Sequence, residues 1–326
     1  FNVLYTTSTF PEDWNKSIIV PIHKSGSKLD PTNYRGISLL SNISKIFSFV
    51  LTARLQDWME ENNKHSVEQA GFRREHSTVD HIFTLHAMIT KTVHGGGRGK
   101  LYVAFIDYMK AFDSVKRPYL WRALNKAGIS TKFLKMIKSM YNSVQACVRW
   151  GNDTSDFFEC CIGTKQGSSE SPTLFSLFIS SVADYVRANG QHGVQMQTGQ
   201  NEIFLLIFAD DIALISTSPV GLQTQINNLA YASEQIGLNV NITKTKVMVF
   251  RRGGFLGKGE KWYLSGNKLD VVNSFKYLGY TFTTRLSETG ALDSVAVNAK
   301  QKTVRLLKML WTLLSQTPTL FFKLFD

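Results

Sequence analysis

Asp210 and Asp211 interrupt an otherwise apolar stretch, Ile203-Phe204-Leu205-Leu206-Ile207-Phe208-Ala209-Asp210-Asp211-Ile212-Ala213-Leu214-Ile215. Adjacent carboxylates among apolar residues lose water and repel one another. A divalent cation relieves both costs at once; a solvated polar turn, which also favours Asp, is the other reading. Asp107 stands in matching surroundings at the end of Val103-Ala104-Phe105-Ile106, and it too can be read as a plain strand-end turn residue. Two strands that each deliver a carboxylate at one end of a sheet can build a shared cation site. Oxygen-only ligands suit Mg²⁺, which keeps several waters and is completed by substrate phosphates. In a two-metal site, ions about 3.5–4 Å apart clamp the attacking and leaving oxygens of an in-line displacement.

The elements that must position these acids follow from periodicity. The apolar flanks of Asp210-Asp211 are short and rich in Ile and Phe, so they read as two buried strands joined at the acids. Strands are expected at Ser17 to Ile22, Leu101 to Ile106, Ala146 to Trp150, Phe157 to Ile162, Val247 to Phe250 and Phe275 to Phe282. Helices are expected around Phe49 to Glu60, His81 to Thr92, Tyr119 to Lys126, Phe133 to Tyr141 and Leu222 to Ile236. Leu174, Phe178, Val182 and Tyr185 recur every three to four residues, an amphipathic helical stripe. Val304, Leu307, Trp311 and Leu314 mark a final helix. The glycine-rich stretch Gly95-Gly96-Gly97-Arg98-Gly99 is the one linker-like segment. Mixed in this order, the elements imply an α+β core.

Composition narrows the partner. With 326 residues, 43% hydrophobic and 19% charged, the chain is long enough for a large core and is not of disordered composition. A net charge of +12 points to a polyanion. The basic residues are spread, from Lys16, Lys24, Lys28, Arg35 and Lys45 through Arg73 and Arg74 to Lys132, Lys135 and Lys138, with Lys300, Lys302, Arg305 and Lys308 near the end. Such a spread suits a long groove along a nucleic-acid backbone. No membrane is expected, since the longest uncharged helical candidate is far short of the ~20 residues a span needs. Cys147, Cys160 and Cys161 give neither a disulfide framework nor zinc spacing, which fits a reducing, intracellular compartment. His76, His81 and His86 lie five apart, off the i, i+4 pattern of paired zinc ligands. The missing initial Met and the apolar end Leu320 to Asp326 read as a piece of a longer polypeptide.

Ala104-Phe105-Ile106-Asp107-Tyr108-Met109-Lys110-Ala111-Phe112-Asp113-Ser114-Val115, followed by Phe208-Ala209-Asp210-Asp211, resembles the reverse transcriptase domain of non-LTR (LINE-type) retrotransposons. In the same order, Trp14 to Lys24 with Asn33 to Leu40 is similar to its fingers motifs. Gln69-Ala70-Gly71-Phe72-Arg73 with Ser77-Thr78 is similar to a segment characteristic of that family. Gly163 to Pro172, Gly237 to Lys246 and Phe275-Lys276-Tyr277-Leu278-Gly279 complete the series, so the resemblance covers nearly the whole chain.

The resemblance implies a right-hand polymerase with an antiparallel palm sheet: fingers over 1–100, palm over 101–285 with a fingers-like insertion near 119–162, and the start of a truncated thumb over 286–326. It implies an RNA-directed DNA polymerase, adding dNTPs to a primer 3′-OH on an RNA template. Asp107 and Asp210 would hold two Mg²⁺ ions, with Asp211 contributing nearby and Mn²⁺ as a substitute. Lys24 and Arg35 would lie against the incoming triphosphate, as a point charge and a planar fork do. Phe112 would exclude a ribose 2′-OH, Gln166 and Gly167 would position the nascent pair and template, and Lys244 would protonate the departing pyrophosphate. Asp113 reads as structural. The partners implied are RNA template, DNA primer or target DNA, dNTPs and further domains of a polyprotein, in the nucleus and in cytoplasmic ribonucleoprotein.

Three positions depart from the family pattern. Gly36 stands where Pro is common, Glu75 where Gly is usual and Glu170 where an apolar residue is usual. An acid beside template and nucleotide phosphates would repel them. A catalytically inactive remnant that only binds nucleic acid is therefore the alternative from another class; a related cellular or intron polymerase is the other.

Overall fold

The structure, a computed structural model, describes residues 1–95, 99–190, 192–197, 202–286 and 304. Its principal strands are β1 (Lys16–His23), β2 (Tyr34–Leu40), β3 (Leu101–Ile106), β4 (Gln145–Trp150), β5 (Leu205–Phe208), β6 (Asp211–Ser216), β7 (Lys246–Phe250), β8 (Asp270–Val272), β9 (Ser274–Tyr277) and β10 (Tyr280–Thr283). Its longer helices are α1 (Asn42–Glu61), α2 (Thr78–Ile89), α3 (Arg117–Ala127), α4 (Thr131–Met140), α5 (Glu170–Ala188) and α6 (Pro219–Gln235). Local chemistry sets several ends: Ser77 and Asp80 form a reciprocal capping box on α2, and Gly128 closes α3 with φ +95°.

One sheet joins β1 antiparallel to β2 and parallel to β4, with the short strand Phe158–Glu159 on β4. The other runs β8-β7-β3-β6-β5, and its centre is buried on both faces. Along β3 every residue is buried. Tyr102, Ala104 and Ile106 pack into a core with α5 and α6, while Leu101, Val103 and Phe105 pack against α2 residues Leu85, Met88 and Ile89. The unbroken apolar run is what a period-two strand needs when both faces are covered.

Three expectations change. The second sheet is antiparallel except at its edge, where β7 pairs β8 parallel. Phe275 to Phe282 is a hairpin, because Leu278 and Gly279 both take positive φ, 47° and 90°, the requirement of a tight two-residue turn. Only Phe158–Glu159 of the expected strand Phe157 to Ile162 pairs. The final helix from Val304 and the 286–326 thumb fall almost wholly outside the described residues. Among the described residues no helix is long and apolar enough to cross a membrane.

Candidate active site

The acids meet at one end of the central sheet. In the β3–β6 ladder Ile106 faces Ile212, so Asp107 and Asp211 leave neighbouring strands at the same end. Phe208 pairs with Asp211, which makes Ala209-Asp210 the two-residue turn between β5 and β6. Ala209 takes φ +59° there, the positive φ that such a turn demands at its first central residue. The expected pair of buried strands joined at the acids is present.

Asp107 is fixed by its backbone. Its amide donates to Thr245 Oγ1 at 3.3 Å, and its carbonyl accepts from the Asn241 amide at 2.7 Å. The Gly237 to Lys246 segment therefore orients the acid, whereas sequence reasoning singled out only Lys244 there, as a proton donor to pyrophosphate. Burial pushes the Asp107 carboxyl up, with Lys244 and a hydrogen bond from Asn241 pulling it back. Its Oδ2 is buried without a hydrogen-bond partner, and Lys244 Nζ stands 3.9 Å away.

Asp210 and Asp211 are raised as well. Lost water is the largest cause for Asp210; its own backbone amide and Arg35 oppose the rise, while Asp107 adds to it. The Asp211 carboxyl touches solvent in a cavity of about 560 Å³ shared with Asp107 and Lys244, yet it is pushed up to about 6 by lost water, then by Asp210 and Asp107. Among the described residues no three His, Cys, Asp or Glu side chains are drawn closely enough together to grip an ion as they stand. The expected cage is thus a set of acids at one sheet end, raising one another's carboxyls, that is not closed around an ion. An orphaned carboxylate oxygen, oxygen-only donors and uncompensated negative charge fit a hard divalent cation.

The remaining residues fall around this end unequally. Arg35, exposed on β2, lies near enough to Asp210 to offset its charge. Lys24 is exposed just beyond β1, its amide bonded to the Asn33 carbonyl at 2.8 Å, and contacts none of the acids. Phe112 is half-buried, stacked on Phe175 at 4.3 Å and edged by Phe72 at 6.2 Å. Sequence reasoning missed both supports, although Phe72 lies in the Gln69 to Arg73 segment. Gln166 Nε2 donates to Asp113 Oδ1 at 2.5 Å. Gly167, at φ +84°, leaves no room for a Cβ, which would sit 2.8 Å from the Ser38 carbonyl oxygen of β2. A cavity of about 430 Å³ opens between Ser38 and Gln166.

Glu170 requires a correction. It is fully buried at the start of α5 and accepts from Ser168 Oγ, so it does not face the cavity where phosphates would lie. Lys165 is buried in the same polar cluster, with Nζ donating to Asn15 Oδ1 at 2.5 Å and lying 4.9 Å above the Phe10 ring. Burial lowers the lysine to about 8, against the pull of Glu170. Glu75 has φ +61°, which explains why a glycine is favoured there.

An acid cluster at one end of a mainly antiparallel sheet, with Arg35 of a second sheet near enough to offset Asp210, is the arrangement of a right-hand polymerase. The comparisons agree: the solved apo telomerase of Candida Tropicalis, truncated from its C-terminal domain, superposes with a TM-score of 0.56 at 16% identity, covering 87% of this chain and 57% of that one. That likeness shows the fold. Residues 22–282 match the family described as "Reverse transcriptase (RNA-dependent DNA polymerase)", and the chain belongs to that family. It is 32% identical over 296 residues to the probable RNA-directed DNA polymerase from transposon BS of Drosophila melanogaster, covering 88% of this chain and 31% of that protein. It is 26% identical over 321 residues to the RNA-directed DNA polymerase from mobile element jockey of the same fly, covering 94% and 33%. A Pol polyprotein from the type-1 retrotransposable element R2 of Popillia japonica is 27% identical over 281 residues, covering 83% and 38%. Its relatives are thus polymerases of non-LTR retrotransposons, and the chain spans about a third of their length.

Proposed function

We propose that this chain is the polymerase module of a non-LTR retrotransposon, extending a primer 3′-OH with dNTPs on an RNA template. The observation that carries it is the charge excess of Asp107, Asp210 and Asp211 at one sheet end, flanked by Lys244 and Arg35. Asp107 and Asp210 would hold two Mg²⁺ ions, with Asp211 beside them and Mn²⁺ able to substitute. Such ions neutralise developing charge and activate the attacking oxygen in phosphoryl transfer.

The chain's own groups divide the rest. Arg35 and Lys24, on neighbouring strand ends, would receive the triphosphate, Arg35 with a planar fork that matches phosphate oxygens. Phe112 presents an apolar wall that gives a ribose 2′-OH neither space nor a partner. Gln166 lines the cavity beside β2 and Gly167 packs against the Ser38 carbonyl there, where the two would position the nascent base pair and template. Lys244, exposed and next to Asp107, would deliver a proton to the leaving pyrophosphate.

In this reading residues 1–100 are fingers and 101–285 palm with a fingers-like insertion near 119–162, which the pairing of β4 with β1 supports. Residues 286–326 begin the thumb. RNA template, target DNA and other polyprotein domains are the partners, in the nucleus and cytoplasmic ribonucleoprotein. The inactive-remnant reading drew on Glu170, and a buried Glu170 gives it no support.

Primer extension on an RNA template with Mg²⁺ or Mn²⁺ tests this. Asp210→Asn should lose at least about 10²-fold in rate, the scale of losing one electrostatic contact to the reacting centre. A wild type that extends no further than Asp210→Asn would falsify the reading.

A further inference from the structure

The segment Glu68 to Phe72 runs along β5 as an added edge. The Ile207 amide donates to the Glu68 carbonyl at 2.8 Å, and the Ala70 amide donates to the Ile207 carbonyl at 3.0 Å. Between them lies Gln69, 1% exposed. Its carboxamide oxygen accepts from the Gly71 amide at 2.7 Å and from the Ala209 amide at 3.1 Å. Two backbone donors aimed at one atom identify it as the oxygen. Ala209 is buried, holds positive φ, and is the residue immediately before Asp210.

A buried amide in a turn needs an acceptor, and the β5–β6 ladder offers this one none. Gln69 supplies it from outside the hairpin. Gly71 permits the approach, since a Cβ there would lie 2.4 Å from the Ala209 nitrogen. The segment is tied down behind, where Arg187 of α5 donates to both oxygens of Glu68, at 3.2 and 2.5 Å. The side chain therefore links α5 to the turn that carries the acid.

We propose that Gln69 is a positioning residue for Asp210: its carboxamide oxygen clamps the Ala209 amide and thereby fixes where the acid points. The inference rests on the polymerase reading above for its rate effects, and on structure alone for its binding effects. Misplacing a reacting group by about 1 Å costs on the order of 10²-fold in rate. Gln69→Leu removes the acceptor and keeps much of the bulk. Gln69→Glu keeps an oxygen facing both amides.

The experiment compares both variants with wild type in primer extension and in Mn²⁺ titration followed by electron paramagnetic resonance. Gln69→Leu should lower kcat ten- to a hundredfold with little change in KM for dNTP, and should weaken Mn²⁺ binding several-fold. Gln69→Glu keeps the acceptor but adds a buried charge beside Asp210, so it should lose stability yet retain more kcat and Mn²⁺ affinity than Gln69→Leu. Unchanged kcat and Mn²⁺ affinity in Gln69→Leu overturn the clamp. So does Gln69→Glu losing as much kcat and Mn²⁺ affinity as Gln69→Leu, because the acceptor oxygen would then not matter and Gln69 would be only a packing residue. A wild type that binds Mn²⁺ but extends no primer defeats the polymerase reading, while the Mn²⁺ comparison still judges the clamp.

Discussion

Two regions of this molecule take charge out of water. At the acid turn, Asp107, Asp210 and Asp211 all rise through lost water; Asp107 raises both members of the pair and Asp210 raises Asp211. Lys244 at 3.9 Å and Arg35 offset them only in part, and one carboxylate oxygen has no partner. At the start of α5, Lys165 and Glu170 are buried too, but with opposite signs and in a network of Asn15, Ser168, Ser171 and Tyr141. The first region carries an excess that folding does not cancel, the arrangement expected where a ligand must complete the site. The second sets opposite signs against each other, although Glu170 Oε1 there also lacks a hydrogen-bond partner, and it braces the loop carrying Gln166 and Gly167. A buried charge is therefore evidence of function only after its partners are counted.

Removing one partner of a buried pair is the hardest test of that distinction. Lys165→Met or Glu170→Leu alone should destabilise the chain by about 3–5 kcal/mol, because the other charge is left buried and alone. The double variant should recover most of the loss, since an apolar pair of similar volume is near neutral. Asp210→Asn should do the reverse, keeping or raising cation-free stability while abolishing synthesis. Denaturant unfolding midpoints decide it: a double variant no more stable than the single ones would mean that Lys165 and Glu170 are not coupled.

Acidity separates the regions in the opposite direction. Asp211 titrates at about 6 when folded against an ordinary 3.8, so between these values the native state binds more protons than the unfolded chain. Stability is lost as pH rises through that window, and the loss is complete above it. Lys165 titrates at about 8 against an ordinary 10.5, so there the unfolded chain binds more protons and stability rises with pH. In melting curves without divalent cation, Asp211→Asn should flatten the slope between pH 4 and 6, as ~3.8 and ~6 bound it. The Lys165→Met, Glu170→Leu double variant should flatten the alkaline one. Mg²⁺ should restore stability to wild type near neutral pH and do little for Asp210→Asn.

How much of this could be read from residues alone follows the same division. Acids that end apolar runs were legible, because a strand buried on both faces leaves an unbroken hydrophobic signature up to the charge. The α5 stripe was legible for a similar reason. Glu170 was misread because only the tertiary fold shows that it points inward, to a hydrogen bond from Ser168 and a cluster whose Asn15 and Tyr141 are distant in sequence. Gln69 stood in a conspicuous segment, yet its task depends on a turn formed far along the chain. The hairpin at Leu278-Gly279 was hidden by apolar residues on both sides of a turn signal that was present.

Backbone strain gives the finest version of the comparison. Ala209 and Glu75 hold nearly the same φ, 59° and 61°, without being glycine. Ala209 is buried beside Asp210 and clamped by Gln69, whereas Glu75 is exposed. Glu75 is exposed, so relieving its strain should act on stability alone, and Glu75→Gly should stabilise by about 0.5–1 kcal/mol, the steric penalty less the entropy glycine adds to the unfolded chain. Primer extension should be unchanged. Ala209→Gly relieves a similar strain and loosens the turn, so its melting temperature should hold or rise while kcat falls. If Glu75→Gly slows synthesis as much as Ala209→Gly does, strain at the acid turn has no special bearing on Asp210, and its positive φ is only a consequence of making a short hairpin.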